Sequence, residues 1–428
     1  MSKTAISQVH AWEALDSRGR PTVACRVTLA GGGAGRAVVP SGASMGGHEA
    51  RERRDGGTRY GGFGVHQAVA NVHNVIAPLV LSMDAADRAI VDAAIESADS
   101  DPALGTLGAN AVLAVSLAVT LAFADELREP LWRTLSGSDS PLIPMPMVNI
   151  ISGGAHARGA LDIQDVLAIP LGASNFAESI EWVSRVRAAT ARLMEAQGVT
   201  TALVADEGGL AGALGNNEQA LSLVAAGIAA AGLEPGQDVA IAVDFASNQM
   251  WTGNDYRLKV ENCSLTADEW VQRIAGWCAK YPIVSLEDVL QEDDWAGWSA
   301  AKPVLGTGRQ LLGDDHFATN VQRVEKGIAA HSANAVLVKP NQAGTVTRAE
   351  QVVTTAHAAG FATVVSARSG DTEDHWLADF AIGWNAGQIK VGSTMRSERT
   401  AKWNRVLEIE SEAGSKARFA GRSTVAGL

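Results

Sequence analysis

The sequence predicts a β/α barrel preceded by a smaller α+β domain, and three observations carry the prediction. Beyond residue 141, short apolar runs that each end in a polar residue alternate with amphipathic stretches. The polar ends recur at intervals of about 25 residues or twice that, the length of one strand, one helix and their loops. Before residue 138 the pattern is different: two extended segments over residues 5–30, then alanine-rich stretches at helical spacing over 65–81 and 109–124.

Taken in order, the first two segments are joined by Asp16-Ser-Arg-Gly-Arg-Pro21, a turn-rich stretch that makes them a hairpin. Val38-Val-Pro-Ser-Gly-Ala-Ser-Met-Gly-Gly47 is too small and flexible for a core and reads as a loop. Ser136-Gly-Ser-Asp-Ser-Pro141, with Pro144 and Pro146, interrupts both regular structures and sets the expected boundary, a domain over 1–138 and a barrel over 141–428. The apolar runs of the second region end at Asp244, Glu287, Asp314, Lys339, Ser366 and Lys390. Between them, Thr266-Ala-Asp-Glu269 has the form of a capping box and opens a helix with Trp270, Ile274 and Trp277 on one face. Buried parallel strands alternating with helices make a barrel whose strand C-termini face the active site, so the polar ends are the candidate chemistry.

Composition narrows the function. The chain has 428 residues, 46% hydrophobic and 19% charged, which suits a packed globule of two or three domains rather than a disordered chain. A net charge of −12 disfavours nucleic acid and anionic membranes as partners, since both repel it at long range. Cys25, Cys263 and Cys278 support neither a disulfide framework nor a thiolate zinc site, and a reducing cytoplasm is the expected home. The N-terminus lacks a signal-peptide layout, and no run of about 18 apolar residues predicts a membrane helix.

Asp244, Glu287 and Asp314 end three successive polar-capped runs. Each alone is as readily a helix cap or an ion-pair partner. Three like charges at one barrel mouth repel unless a cation sits among them, and a hard cation such as Mg2+ takes oxygen ligands. Lys339 and Lys390 come next on apolar strands, where desolvation and metal charge would lower a lysine toward the range of a base. Asp206-Glu-Gly-Gly209 offers Glu207 as an acid beside a close-approaching backbone, and Arg368-Ser369 offers a guanidinium fork and a hydroxyl for phosphate or carboxylate.

These motifs, with Asp16-Ser-Arg-Gly-Arg-Pro-Thr22, Pro40-Ser-Gly-Ala-Ser44, Gly313-Asp-Asp315, Val338-Lys-Pro-Asn-Gln342, Arg368-Ser-Gly370 and Gln388-Ile-Lys-Val-Gly-Ser393, resemble the enolase family in order and across the whole chain. The Lys-x-Lys pair of the muconate-cycloisomerase and mandelate-racemase type is not found. The resemblance implies an eight-stranded barrel and a homodimer or higher homo-oligomer. It implies two Mg2+ per active site, the first on Asp244, Glu287 and Asp314, the second held with help from Ser44. It also implies Lys339 as the base that takes the α-proton, Lys390 as a stabiliser of the substrate carboxylate, Glu207 as the acid at the leaving group, and His156, Arg368 and Ser369 as substrate phosphate contacts.

The departures from the family pattern cluster. Ala367 stands where enolases carry a histidine, and Asp165 where they carry a glutamate; both positions flank the leaving group in that family, and Asp165 is counted here among the catalytic candidates. Met45 succeeds Ser44 in place of threonine, and Ala155 precedes His156 in place of an acid. Enolate formation on a small phosphorylated or phosphonylated carboxylic acid is therefore expected to persist while the rest of the reaction has changed. The expectation is a specialised relative such as the carboxyphosphonoenolpyruvate synthases of phosphonate (phosphinothricin-type) antibiotic biosynthesis. The alternatives are a housekeeping enolase, which converts 2-phosphoglycerate to phosphoenolpyruvate, and an inactive enolase-like binding protein.

Overall fold

A computed structural model describes residues 2–43 and 46–428, so Ser44 and Met45 lie outside the described residues. Strands β1 (Ile6–Leu15), β2 (Pro21–Leu29) and β3 (Ala34–Val38) form an antiparallel three-stranded sheet. The expected turn closes the hairpin: Asp16 Oδ1 accepts from the backbone N–H groups of Arg18 at 2.8 Å and Arg20 at 2.9 Å. The stretch over 65–81 is helical but passes through a π turn at Val72–Ile76.

Helix α1 (Ala109–Leu127) packs across β2 and β3. It is long and apolar enough to cross a membrane, yet most of it is buried inside the protein, and its apolar character is that of a core helix. Gly35 sets how closely sheet and helix approach, since a Cβ there would lie 2.1 Å from the Ala118 carbonyl oxygen.

Eight strands close into the barrel: β4 (Met145–Ser152), β5 (Asp165–Ile169), β6 (Ala240–Asp244), β7 (Ile283–Glu287), β8 (Gln310–Gly313), β9 (Ala335–Val338), β10 (Ala362–Ser366) and β11 (Gly387–Gly392). They pair in chain order, and β11 returns to β4. One strand corrects the all-parallel expectation: β5 runs antiparallel to both neighbours. Its inverted direction brings its first residue, Asp165, opposite Ser152 and Asp244, at the end where the other strands finish. The physical cause is connectivity: a loop of residues 153–164 returns the chain directly, and the packed pair α2 (Phe176–Ala196) and α3 (Asn217–Ala230) then carries it to β6.

One further detail differs from the sequence reading: Lys390 lies inside β11 rather than at its end. Helix α4 (Ala267–Lys280) does begin with the expected capping box, Thr266 and Glu269 each satisfying the other's backbone N–H. Met145, Met147, Leu167, Ile169, Leu312 and Leu337, from four barrel strands, pack in one apolar cluster, and these side chains make the barrel a filled core rather than a pore.

Candidate active site

The strand ends gather opposed charges. The Lys390 ammonium donates to Asp244 Oδ2 at 2.9 Å and to Glu287 Oε1 and Oε2 at 2.8 and 2.7 Å. Lys339 donates to Asp314 Oδ2, whose other oxygen accepts from Gln342 at 2.8 Å. Burial opposes the charge on both lysines, but their carboxylate partners outweigh it and hold both above the ordinary lysine range. For Lys339 the raising partner is Asp314, which pairs with it directly.

Glu287 shows the opposite imbalance. Burial, and then the neighbouring Asp244, push its carboxyl well above the ordinary range despite Lys390. Beside it Asp288, which the sequence reading missed, accepts from the backbone N–H of Asp314 at 3.0 Å and of Asp315 at 2.9 Å. Oxygens of Asp288, Asp314 and Asp315 converge within 4.8 Å of one another. Carboxylates crowded and buried in this way carry more negative charge than two ammonium groups balance, and this donor chemistry fits hard divalent cations.

The facing wall is built on β4, β5 and the loops beside them. His156 Nδ1 meets Asp165 Oδ2 at 2.8 Å, and Ser152 Oγ donates to Asp165 Oδ1 at 2.5 Å. His156 Nε2 lies 3.7 Å from Glu207 Oε1, while Asn149 donates to Glu207 Oε2 at 3.1 Å. Burial opposes a charged imidazole, but Asp165 and then Glu207 outweigh it and lift His156 to about 9. Burial would likewise raise Glu207, yet His156, Arg399 and the lysines keep it below the usual carboxylate range. The glycines after Glu207 admit protein rather than ligand, since a Cβ at Gly209 would sit 2.3 Å from Ser152 Oγ.

At the third side Arg368 Nη1 donates to Glu49 Oε2 at 2.8 Å, and both side chains are buried. Glu49 also accepts from Gln342, so it ties the loop after residue 45 to the barrel. Ser369 Oγ accepts from the backbone N–H of Ala43 at 2.6 Å. Nothing in the motifs pointed to Glu49, Ser152 or Asn149, and Gln342 stood in one without a role; each acts through a neighbour fixed only by the fold.

His156, Glu207, Asp314, Lys339, Arg368 and Lys390 line one cavity, and Ala367 forms part of its wall. Asp244 and Ser369 also face it, whereas Asp165 and Glu287 stand behind it. The Asp165 side chain is fully enclosed. Of the candidates named from sequence, Ser44 alone lies outside the described residues.

Comparison with known proteins agrees with this architecture. Residues 6–135 match the family model described as the enolase N-terminal domain, and residues 140–427 the one described as the enolase C-terminal TIM barrel domain. A relative from Acidothermus cellulolyticus, named Enolase, is 47% identical over 416 residues, which covers 97% of this chain and 96% of the relative. With family models over both halves and a relative aligned across nearly its full length, the chain belongs to the enolase family of magnesium-dependent lyases.

Proposed function

We propose that this enzyme removes the α-proton of a 2-phosphoglycerate-type carboxylic acid and is specialised in how the resulting enolate is consumed. The observation that carries the first half is the single cavity shared by Lys339, Lys390, Glu207, His156 and Arg368, with carboxylates crowded behind the lysines. Asp244, Glu287 and Asp314, together with Ser44, would hold two magnesium ions, which when bound supply positive charge against the substrate carboxylate and the enolate.

Lys339 would serve as the base at the α-carbon, since a cation held by Asp314 would compete for the carboxylate that now keeps its proton. Lys390, locked between Asp244 and Glu287, places its charge toward the substrate carboxylate. Arg368 and Ser369 meet the phosphate once the substrate displaces Glu49 from the guanidinium. Glu207 stands at the leaving-group end, ionised in the resting enzyme beside a protonated His156.

The specialised reading rests on Ala367 and Asp165. A methyl occupies the wall position where the family carries an imidazole, and the shortened carboxylate turns away to His156 and Ser152. Both changes weaken the apparatus for expelling hydroxide, as suits an enzyme of the carboxyphosphonoenolpyruvate synthase type. The relative named Enolase favours the second reading, dehydration of 2-phosphoglycerate to phosphoenolpyruvate. A homodimer or larger homo-oligomer, a cytoplasmic setting and the division into 1–138 and 141–428 belong to the same proposal, and all three are supported by family membership.

The deciding experiment is turnover of 2-phosphoglycerate with magnesium, followed at the absorbance of phosphoenolpyruvate, with Lys339→Ala as the blank. Fast, Lys339-dependent dehydration removes the specialised reading. Lys339-dependent exchange of the α-proton with deuterated solvent, without dehydration, supports it. Neither exchange nor dehydration overturns the proposal as a whole.

A further inference from the structure

Asp165 stands among the catalytic candidates because its position flanks the leaving group in the family, yet the structure gives it no access to substrate. Both its oxygens are committed, Oδ1 to the Ser152 hydroxyl at 2.5 Å and Oδ2 to His156 Nδ1 at 2.8 Å, and its side chain is fully enclosed. His156, by contrast, lines the cavity, and its second nitrogen lies 3.7 Å from the Glu207 carboxylate.

The loop that carries His156 is fixed independently. Gln249 accepts from the backbone N–H of Ala155 at 2.9 Å and donates to Gln164 at 2.6 Å, and Gln164 donates to Asp244 at 3.0 Å. The His156 carbonyl accepts from the backbone N–H of Asp206, which ties the Glu207 turn to the same loop. The backbone is thus held on both sides, and the ring orientation is left to Asp165.

From this geometry we propose that Asp165 is a positioning residue: clamped by Ser152, it fixes His156 through Nδ1 and aims Nε2 into the cavity, so that His156 alone of the pair meets the substrate. A ring nitrogen oriented by a buried carboxylate on its other nitrogen is a recurrent device for setting tautomer and direction. The inference rests on the enolate-forming reading for its kinetic test, but not for its spectroscopic one.

The kinetic test is a double-mutant cycle on magnesium-dependent α-proton exchange of 2-phosphoglycerate, using Asp165→Asn, which keeps the shape, Ser152→Ala, His156→Ala and the His156→Ala/Asp165→Asn pair. A misaimed ring is expected to lower kcat by about 10²-fold in Asp165→Asn, on the scale of small misplacements in active sites. Ser152→Ala should lose less, and the pair should lose no more than His156→Ala alone. Losses that multiply in the pair would show Asp165 acting on the substrate itself and overturn the proposal. The second readout is 15N NMR of labelled histidine. The His156 resonances should shift in Asp165→Asn and Ser152→Ala and stay in place in Lys339→Ala; unmoved resonances in Asp165→Asn overturn it equally. If the wild type exchanges no proton at all, the functional reading fails while the NMR comparison still decides this one.

Discussion

Two buried histidines, one on the loop between β4 and β5 and the other three residues past β8, are held in opposite charge states. His156 lies between the carboxylates of Asp165 and Glu207 and is lifted to about 9, against the pull of its own burial. His316 is stacked on Trp298 at 4.2 Å between ring centroids, with Trp295 and Phe317 close by. Among the described residues its nitrogens meet only the Glu292 carbonyl and the Ser332 hydroxyl, and burial pushes it down to about 3. Burial alone therefore says nothing about charge. A carboxylate neighbour makes a buried imidazole a cation fit to meet an anionic substrate, and an aromatic cage makes it a neutral packing residue.

The sharpest way to break the comparison is to disable each region separately. Lys339→Ala at the charged mouth should reduce α-proton exchange by about 10²–10⁴-fold, the usual contribution of a general base. It should also lower urea stability in the absence of magnesium, because Asp314 is left buried without its ammonium partner; exchange at the wild-type rate would remove Lys339 from the role of base. In the aromatic cage, Trp298→Ala removes a fully buried ring and should lower unfolding stability by about 3–5 kcal/mol. Chemical denaturation checks this, and a shift under about 1 kcal/mol would show that the cage repacks.

Titration separates the two histidines by sign. His316 stays neutral in the fold while its unfolded counterpart takes up a proton near pH ~6.5, so its share of stability falls as pH drops from there toward 3. His156 behaves inversely: its share is complete below pH ~6.5 and is lost as pH rises through about 9. Urea midpoints of wild type and His156→Gln across that range test the assignment, since the variant should lack the alkaline decline. The smallest effect calibrates the rest: Thr266→Ala, at a capping box remote from both histidines, should cost about 1 kcal/mol.

Much of the fold was legible because it repeats. Apolar runs with polar ends marked β6 to β10 and named Asp244, Glu287, Asp314 and Lys339, for a strand buried on both faces has few ways to end in a charge. Lys390 was found by the same rule although it lies within β11. The inverted β5 was not legible: Asp165 opens its strand instead of closing it, so a rule about C-terminal ends could not place it at the mouth. Glu49 escaped notice for a related reason, since its partner Arg368 is far along the chain and no local pattern joins a loop glutamate to a barrel arginine.

By itself the sequence determined the two-part layout, six of the eight barrel strands, the family and most of the charged side chains that line the cavity, because periodicity and motif order are properties of neighbours along the chain. Only the tertiary structure decided what each charge does. It paired Lys339 with Asp314, turned Asp165 from the cavity to His156, set Glu49 against Arg368 and made one buried histidine a cation and the other neutral. Charge state and orientation depend on which groups lie within a few ångströms, and the fold assembles those groups from segments far apart in the chain.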